Sequence, residues 1–187
     1  MRFSHTPSNS SPSTRWSSRK PVQLIELETK IAAPPERCFL LSLSIDLHEA
    51  STAPTGERAI GGVTHGIIGP DQTVTWRGRH FGLMLEHTSL IDRYDSPKYF
   101  RDVMIKGHFR SFEHEHFFDL ANDGRTIMRD RLAFEAPFGP FGWLAEKLIL
   151  RAYLTRFLQQ RDAVIKRIAE SPAGEWRKYL QNISVQS

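Results

Sequence analysis

The chain has 187 residues, 40% hydrophobic and 25% charged, a composition typical of one globular domain with a sizeable core. No run approaches the roughly 18 consecutive apolar residues that a membrane helix needs, so the sequence predicts no membrane span. The only cysteine, Cys38, excludes an intramolecular disulfide and fits a reducing compartment, so we predict a cytoplasmic protein.

The formal net charge of +4 comes from residues 1–20, which carry four basic residues and no acidic one. Removing these four from the 25 basic residues leaves 21, equal to the 21 acidic residues. The body of the chain is therefore neutral and shows no basic stripe, so we predict no nucleic-acid partner. Ser, Thr and Pro dominate residues 1–20, which favours a disordered tail, and a transit peptide of similar composition is the alternative.

The first predicted elements are a strand followed by two short helices. Alternating apolar residues predict a strand over 22–31. Pro34-Pro35 then predicts a helix start, because proline is tolerated in the first helical turn, and this helix is expected to run to about Ile45. Asp46 can cap a second short helix over 47–53.

A meander of antiparallel strands is predicted from residue 57 onward. Turns rich in glycine, proline, aspartate and asparagine separate runs that alternate between apolar and polar residues, which is the pattern of hairpins. The clearest strands are predicted over 72–81, 83–94, 98–106, 109–120 and 126–136.

The last large element is a helix over 143–170, with apolar residues at helical spacing. At about 1.5 Å per residue it would span roughly 40 Å, enough to cross a whole sheet. Residues 171–187 are predicted to form a second tail with a short helical turn near 175–180. This order of elements predicts an α+β domain over 21–170, in which a curved antiparallel sheet wraps around the long helix.

The chain resembles the START-like superfamily of helix-grip proteins, and within it the bacterial polyketide cyclase/dehydrase and lipid-transport (SRPBCC) proteins. The resemblance covers about residues 22–170, and its carriers are IAAPPERCF (31–39), VTW (74–76), HFG (80–82), FEHEHF (112–117), TIMRD (126–130) and APFGP (136–140). It implies a cavity between the sheet and the long helix that holds an apolar or amphipathic small molecule. It implies no single reaction and no family-wide catalytic residue, so function must be argued from the site.

Two histidines, His114 and His116, share one face of the predicted strand 109–120 with Phe112. A His-x-His pair can supply two zinc ligands, with a third from His80 or Asp130. No cysteine cluster or second histidine pair accompanies it, however, so we predict no metal and no other cofactor. The preferred interpretations are buried histidines hydrogen-bonded to a neighbour, or polar contacts to a ligand in the cavity.

Asp130 is a carboxylate on an otherwise apolar strand face, so it needs a partner or a shifted pKa. His114 or His116 on the adjacent strand can supply that partner. Such a His–Asp pair is structural in the preferred interpretation, and a general base in the alternative.

Three further positions are candidates for the cavity wall. Trp76 and His80 share a strand face with Gly78 between them, which leaves space beside the two rings for a ligand. The alternative is that Trp76 is simply part of the core. Arg161 lies within the apolar stripe of the long helix. There it can meet an anionic ligand group, pair with an acid at the sheet edge, or extend outward to solvent. The predicted ligand-binding residues are therefore Trp76, His80, Phe112, His114, His116, Asp130 and Arg161.

The aromatic segment 137–144, with Phe138, Phe141 and Trp143, is either a gate at the cavity mouth, a membrane-touching tip, or part of the core. The leading prediction is a non-catalytic protein that binds or carries a small hydrophobic or aromatic molecule. A cyclase or dehydratase that uses His114 and Asp130 is the alternative. A module that binds a partner through the tails or the aromatic segment is a third possibility.

Overall fold

A computed structural model describes residues 22–136 and 143–181. The predicted tail 1–20, Phe138 and Phe141 of the aromatic segment, and residues 182–187 lie outside the described residues. The helices are α1 (Pro35–Ser42), α2 (Ile45–Ser51), α3 (Trp143–Ala169) and α4 (Arg177–Leu180). The strands are β1 (Gln23–Ile31), β2 (Arg58–Gly62), β3 (Thr73–His80), β4 (Leu83–Asp95), β5 (Tyr99–Lys106), β6 (Ser111–Leu120) and β7 (Thr126–Glu135).

The strands form one antiparallel sheet in the order β1-β7-β6-β5-β4-β3-β2. Consecutive strands from β2 to β7 are neighbours, and β1 pairs with β7. Bulges in the β4–β5 pairing, between Thr88 and Ser89 and between Ile91 and Arg93, add the local twist that a curved sheet needs. The predicted α+β fold, with a curved antiparallel sheet and a long C-terminal helix, is confirmed.

The junction between the two short helices differs from the prediction. The first helix ends at Ser42 rather than near Ile45, and Ser44 caps the second by accepting a hydrogen bond from the Leu47 amide at 3.3 Å. Asp46, the predicted cap, lies in the first turn of α2 and accepts a hydrogen bond from the Gly66 amide at 2.9 Å. The prediction that Asp46 caps the helix was wrong because a serine two residues earlier holds that position.

The long helix α3 packs its apolar stripe against the domain through two separate clusters. Leu154 and Leu158 pack with residues of β1 and β7. Ile165 and Ile168 belong to a larger cluster that includes residues of α1, α2 and several strands. The described part of the chain contains no helix that is both long enough and apolar enough to cross a membrane.

A layer of buried polar side chains separates these two apolar clusters. On β7, Met128 belongs to the larger cluster and Leu132 to the smaller one, and Asp130 lies between them. The same interruption recurs on β6 and α3, and Asp102 of β5 adjoins it. The members of this polar layer are Asp102, His114, His116, Asp130, Arg161 and Asp162. Charged groups taken out of water need partners inside the protein, so these residues must be arranged around one another.

Residues 171–181, which the sequence predicts to belong to a tail, pack against the domain. Trp176, Tyr179 and Leu180 contact the larger apolar cluster. The Ser44 hydroxyl donates a hydrogen bond to the Tyr179 carbonyl at 3.3 Å, and the Arg37 guanidinium lies 4.3 Å from the centre of the Trp176 ring. The helical turn expected near 175–180 is α4.

Candidate functional site

A cavity of about 180 Å³ lies between the sheet and α3. Apolar side chains from α2, α3 and strands β3 to β7 form most of its wall. Six of the seven predicted ligand-binding residues line it: Trp76, His80, Phe112, His114, His116 and Arg161. The seventh, Asp130, is fully buried behind the histidines rather than on the cavity wall.

Asp130 pairs with both histidines of β6, as the sequence predicts. His116 lies opposite Asp130 in the β6–β7 register. One oxygen of Asp130 lies 2.9 Å from His114 Nε2 and 2.8 Å from His116 Nδ1. These are ion-pair distances, although neither contact has the geometry of a hydrogen bond. One carboxylate oxygen therefore lies close to both imidazoles.

Arg161 supplies a buried positive charge to this group. Its Nη1 lies 3.5 Å from Asp130 and 3.7 Å from Asp162, and its Nη2 donates a hydrogen bond to the Ser42 carbonyl at 3.1 Å. The guanidinium thus pairs with acids of β7 and of its own helix. It also reaches the cavity wall. It is buried, so it does not extend outward to solvent.

The pKa values of the polar layer follow from burial and from mutual charge. Burial and the neighbouring His116 lower the pKa of His114, whereas Asp130 and Asp102 outweigh burial and raise the pKa of His116. Burial alone would raise the pKa of Asp130, but the two histidines hold it well below the usual range. Burial and the charge of Asp130 raise the pKa of Asp162 to about 8. At neutral pH the group thus contains a neutral His114, an ionised Asp130 and a largely protonated Asp162.

Asp102 is a member of this group that the sequence reasoning missed. It lies opposite His114 in the β5–β6 register, and its Oδ2 is 3.1 Å from His116 Nε2 and 3.9 Å from His114 Nδ1. Unlike Asp130, it lines the cavity. Alternation along β5 places it on the same face as the buried Phe100, a signal that was available in the sequence.

A second polar group, the Glu57 cluster, consists of His48, Glu57, His80 and Tyr153 on the same cavity wall. Each oxygen of Glu57 contacts one histidine: Oε2 lies 2.8 Å from His48 Nε2 and Oε1 lies 3.0 Å from His80 Nε2. The other ring nitrogen of His80 is hydrogen-bonded to the Tyr153 hydroxyl at 2.7 Å. Burial alone would raise the pKa of Glu57, but hydrogen bonds from the two histidines outweigh it and lower the pKa.

The sequence reasoning identified His80 in this cluster but missed Glu57, His48 and Tyr153. It also misjudged Gly78, whose open side was expected to leave room for a ligand. A Cβ atom at Gly78 would lie 2.5 Å from Glu57 Cγ, so the space beside the glycine holds the Glu57 side chain. Trp76 stacks on His48 with ring centres 4.0 Å apart, which fixes that imidazole against the wall.

The cavity thus presents two ionisable groups on an otherwise apolar wall. Such an arrangement can orient the polar atoms of an apolar ligand, and a histidine held by a carboxylate can accept or release a proton. Among the described residues, the side chains whose donor atoms converge closely enough for a metal ion are Asp102, His114 and His116.

The sheet order, the long helix across it and the cavity between them form a helix-grip fold, as predicted from the sequence, and solved structures share this fold. The Zhui aromatase/cyclase from Streptomyces sp. R1128 matches with a TM-score of 0.65 and 16% identity over 82% of this chain and 99% of that one. A START superfamily protein from Mycobacterium smegmatis matches with a TM-score of 0.58 and 11% identity, over 77% of this chain and 97% of that one.

Plant proteins share the same architecture. Major latex-like protein 151 from Panax ginseng matches with a TM-score of 0.58 and 15% identity, over 80% of this chain and 99% of that one. No family model and no curated protein matches the sequence. At these identities the likeness establishes the fold and leaves the function to be argued from the cavity.

Proposed function

We propose that this protein binds a small hydrophobic or amphipathic molecule in the cavity between the sheet and α3. The observation that carries this proposal is a cavity of about 180 Å³ with a mostly apolar wall and two polar groups. An engineered cavity of about 150 Å³ lined by apolar residues holds benzene, so the space suits one substituted aromatic ring or a molecule of similar size. We further propose that the protein acts in the cytoplasm without a nucleic-acid partner.

The two polar groups would orient such a ligand. Apolar wall residues contribute affinity by removing ligand surface from water, roughly 25 cal/mol per Å². His80 and His114 each present a ring to the cavity while a buried carboxylate holds it from behind. A hydroxyl or carbonyl on the ligand would therefore meet rings whose positions are already fixed, which lowers the entropic cost of binding.

A thermal-shift screen of substituted phenols and short-chain fatty acids tests binding. A ligand at 100 times its Kd stabilises the folded state by about 2.7 kcal/mol, which raises the Tm of a chain of this size by roughly 5–10 °C. Leu85→Trp should fill the cavity and reduce affinity at least about tenfold. Leu83→Trp, on the same strand but 64% exposed, is the matched control and should leave affinity unchanged. Absence of any stabilising compound, or equal effects of the two variants, would contradict the proposal.

A cyclase or dehydratase activity is the second candidate, and the His114–Asp130 pair favours it. His114 lines the cavity, and burial lowers its pKa. Its Nε2 atom lies 2.9 Å from an oxygen of Asp130. A neutral imidazole in this position could take a proton from carbon next to a ligand carbonyl, and the carboxylate would stabilise the imidazolium that forms.

Deuterium exchange into the methyl group of acetophenone, followed by NMR, tests this second candidate. The protein should accelerate exchange, and His114→Gln and Asp130→Asn should each abolish the acceleration. His65→Gln, at an exposed histidine that does not line the cavity, should retain it. Acceleration that survives both of the first two changes would rule out this pair as the base.

A further inference from the structure

We propose that Asp102, His114 and His116 bind one divalent transition-metal ion, such as zinc, at the polar wall of the cavity. The three residues lie on adjacent strands, with Asp102 on β5 opposite His114 on β6. The sequence led us to expect no metal, and it offered His80 or Asp130 as the third ligand. The fold instead brings Asp102 to this position, while His80 belongs to the Glu57 cluster.

The donor atoms are spaced as a metal site requires. Asp102 Oδ2 lies 3.1 Å from His116 Nε2 and 3.9 Å from His114 Nδ1, and one donor atom from each residue lies within 4.8 Å of the other two. Ligands of a tetrahedral zinc ion, at about 2.0–2.2 Å from the metal, are roughly 3.3–3.5 Å apart. The two Asp102 spacings lie on either side of this value, so side-chain rotations would bring the three donor atoms around one ion.

The other nitrogen of each imidazole faces Asp130, away from the proposed ion. His114 Nε2 and His116 Nδ1 lie 2.9 and 2.8 Å from the same Asp130 oxygen. Metal-binding histidines commonly turn their second ring nitrogen towards a carboxylate, which orients the ring and leaves the first nitrogen free to coordinate. Asp130 is therefore a positioning residue, and His116 is further held by stacking on Phe100 with ring centres 4.1 Å apart.

The remaining coordination position of such an ion would face the cavity, because all three ligands line it. Two histidines and one carboxylate on one side of an ion leave room for water or for an oxygen of a cavity ligand. The Glu57 cluster has the same residue types, but its histidines contact different oxygens of the carboxylate. It therefore offers a matched control within the same cavity.

Zinc binding to the untagged full chain, freed of metal by chelator and dialysis, tests the site. Calorimetric titration and elemental analysis should give one zinc ion per chain. His114→Ala, His116→Ala and Asp102→Asn should each weaken zinc binding by at least about 100-fold, and Asp130→Asn by about 10- to 100-fold. The control variants His48→Ala and His80→Ala should bind zinc as the wild type does.

Cobalt(II) gives a second readout, which reports the ligand set directly. Bound in the wild-type site with few ligands, it should give intense visible absorption, which Asp102→Asn should weaken or shift. With 19% of its side chain exposed, Asp102 is the least buried member of the polar layer, so the isosteric change to Asn should disturb the fold least. Sub-stoichiometric zinc, or equal losses in the control variants, would overturn the proposal. The metal site does not depend on the apolar ligand, so either proposal can fail alone.

Discussion

Replacing Arg161 with methionine tests whether the polar layer is held together by charge. The change preserves most of the side-chain volume but removes the cation 3.5 Å from Asp130 and 3.7 Å from Asp162. At an effective dielectric constant of about 20, each unit-charge interaction at these distances amounts to roughly 4–5 kcal/mol before the cost of burying the groups. At pH 7 the Asp130 contact dominates, because the raised pKa of Asp162, about 8, leaves that carboxyl largely protonated.

The expected result is a loss of about 3–5 kcal/mol in the free energy of unfolding, as for other buried pairs that lose one partner. Total stabilities are about 5–15 kcal/mol, so this loss is a large fraction of the whole. Urea denaturation at pH 6 and at pH 9 measures it. The loss should be larger at pH 9, where Asp162 is ionised and two carboxylates lack their cation. Arg156→Met, at an exposed position of the same helix, is the control. A loss below about 1 kcal/mol, or the same loss for the control, would refute the reasoning.

Three further predictions concern single buried positions. Asp162→Asn should remove a pH dependence of stability. Folding raises the pKa of Asp162 from 3.8 to about 8, so the free energy of unfolding of the wild type decreases as the pH rises from about 4 to 8. The variant does not titrate at this position, so in urea denaturation it should become more stable relative to the wild type over the same pH range. Gly78→Ala should cost about 1–3 kcal/mol, measured by urea denaturation, because its Cβ would force Glu57 aside. Cys38 is fully buried with its pKa raised to about 11, so iodoacetamide should label it only after unfolding, as mass spectrometry would show. Labelling of the native chain would contradict this last expectation.

The sequence predicted the elements and one polar pair because their signals are local. Alternation with period two placed His114, His116 and Asp130 inward on neighbouring strands, and a hairpin turn made those strands partners. The Glu57 cluster has no such signal: it joins a residue preceding β2 to histidines of α2 and β3, and its burial depends on the missing side chain at Gly78. Asp102 was missed because charged residues occupy both faces of its strand. Contacts set by curvature and long-range packing cannot be read from spacing alone.

Burying the polar layer costs free energy. Variants that remove it therefore distinguish a structural role of the layer from a functional one. Replacing a buried ion network with apolar residues of similar volume is often neutral or stabilising, whereas removing one member is not. The triple variant Asp130→Leu, Arg161→Met and Asp162→Asn removes the cation together with both acids that pair with it, so it should be clearly more stable in urea than Arg161→Met alone. It should also bind zinc about 10- to 100-fold more weakly, because Asp130 no longer positions the imidazoles. If the triple variant proved as unstable as the single one, the layer would be needed for the fold itself. Retained stability with lost zinc binding would assign the layer to the function of the cavity.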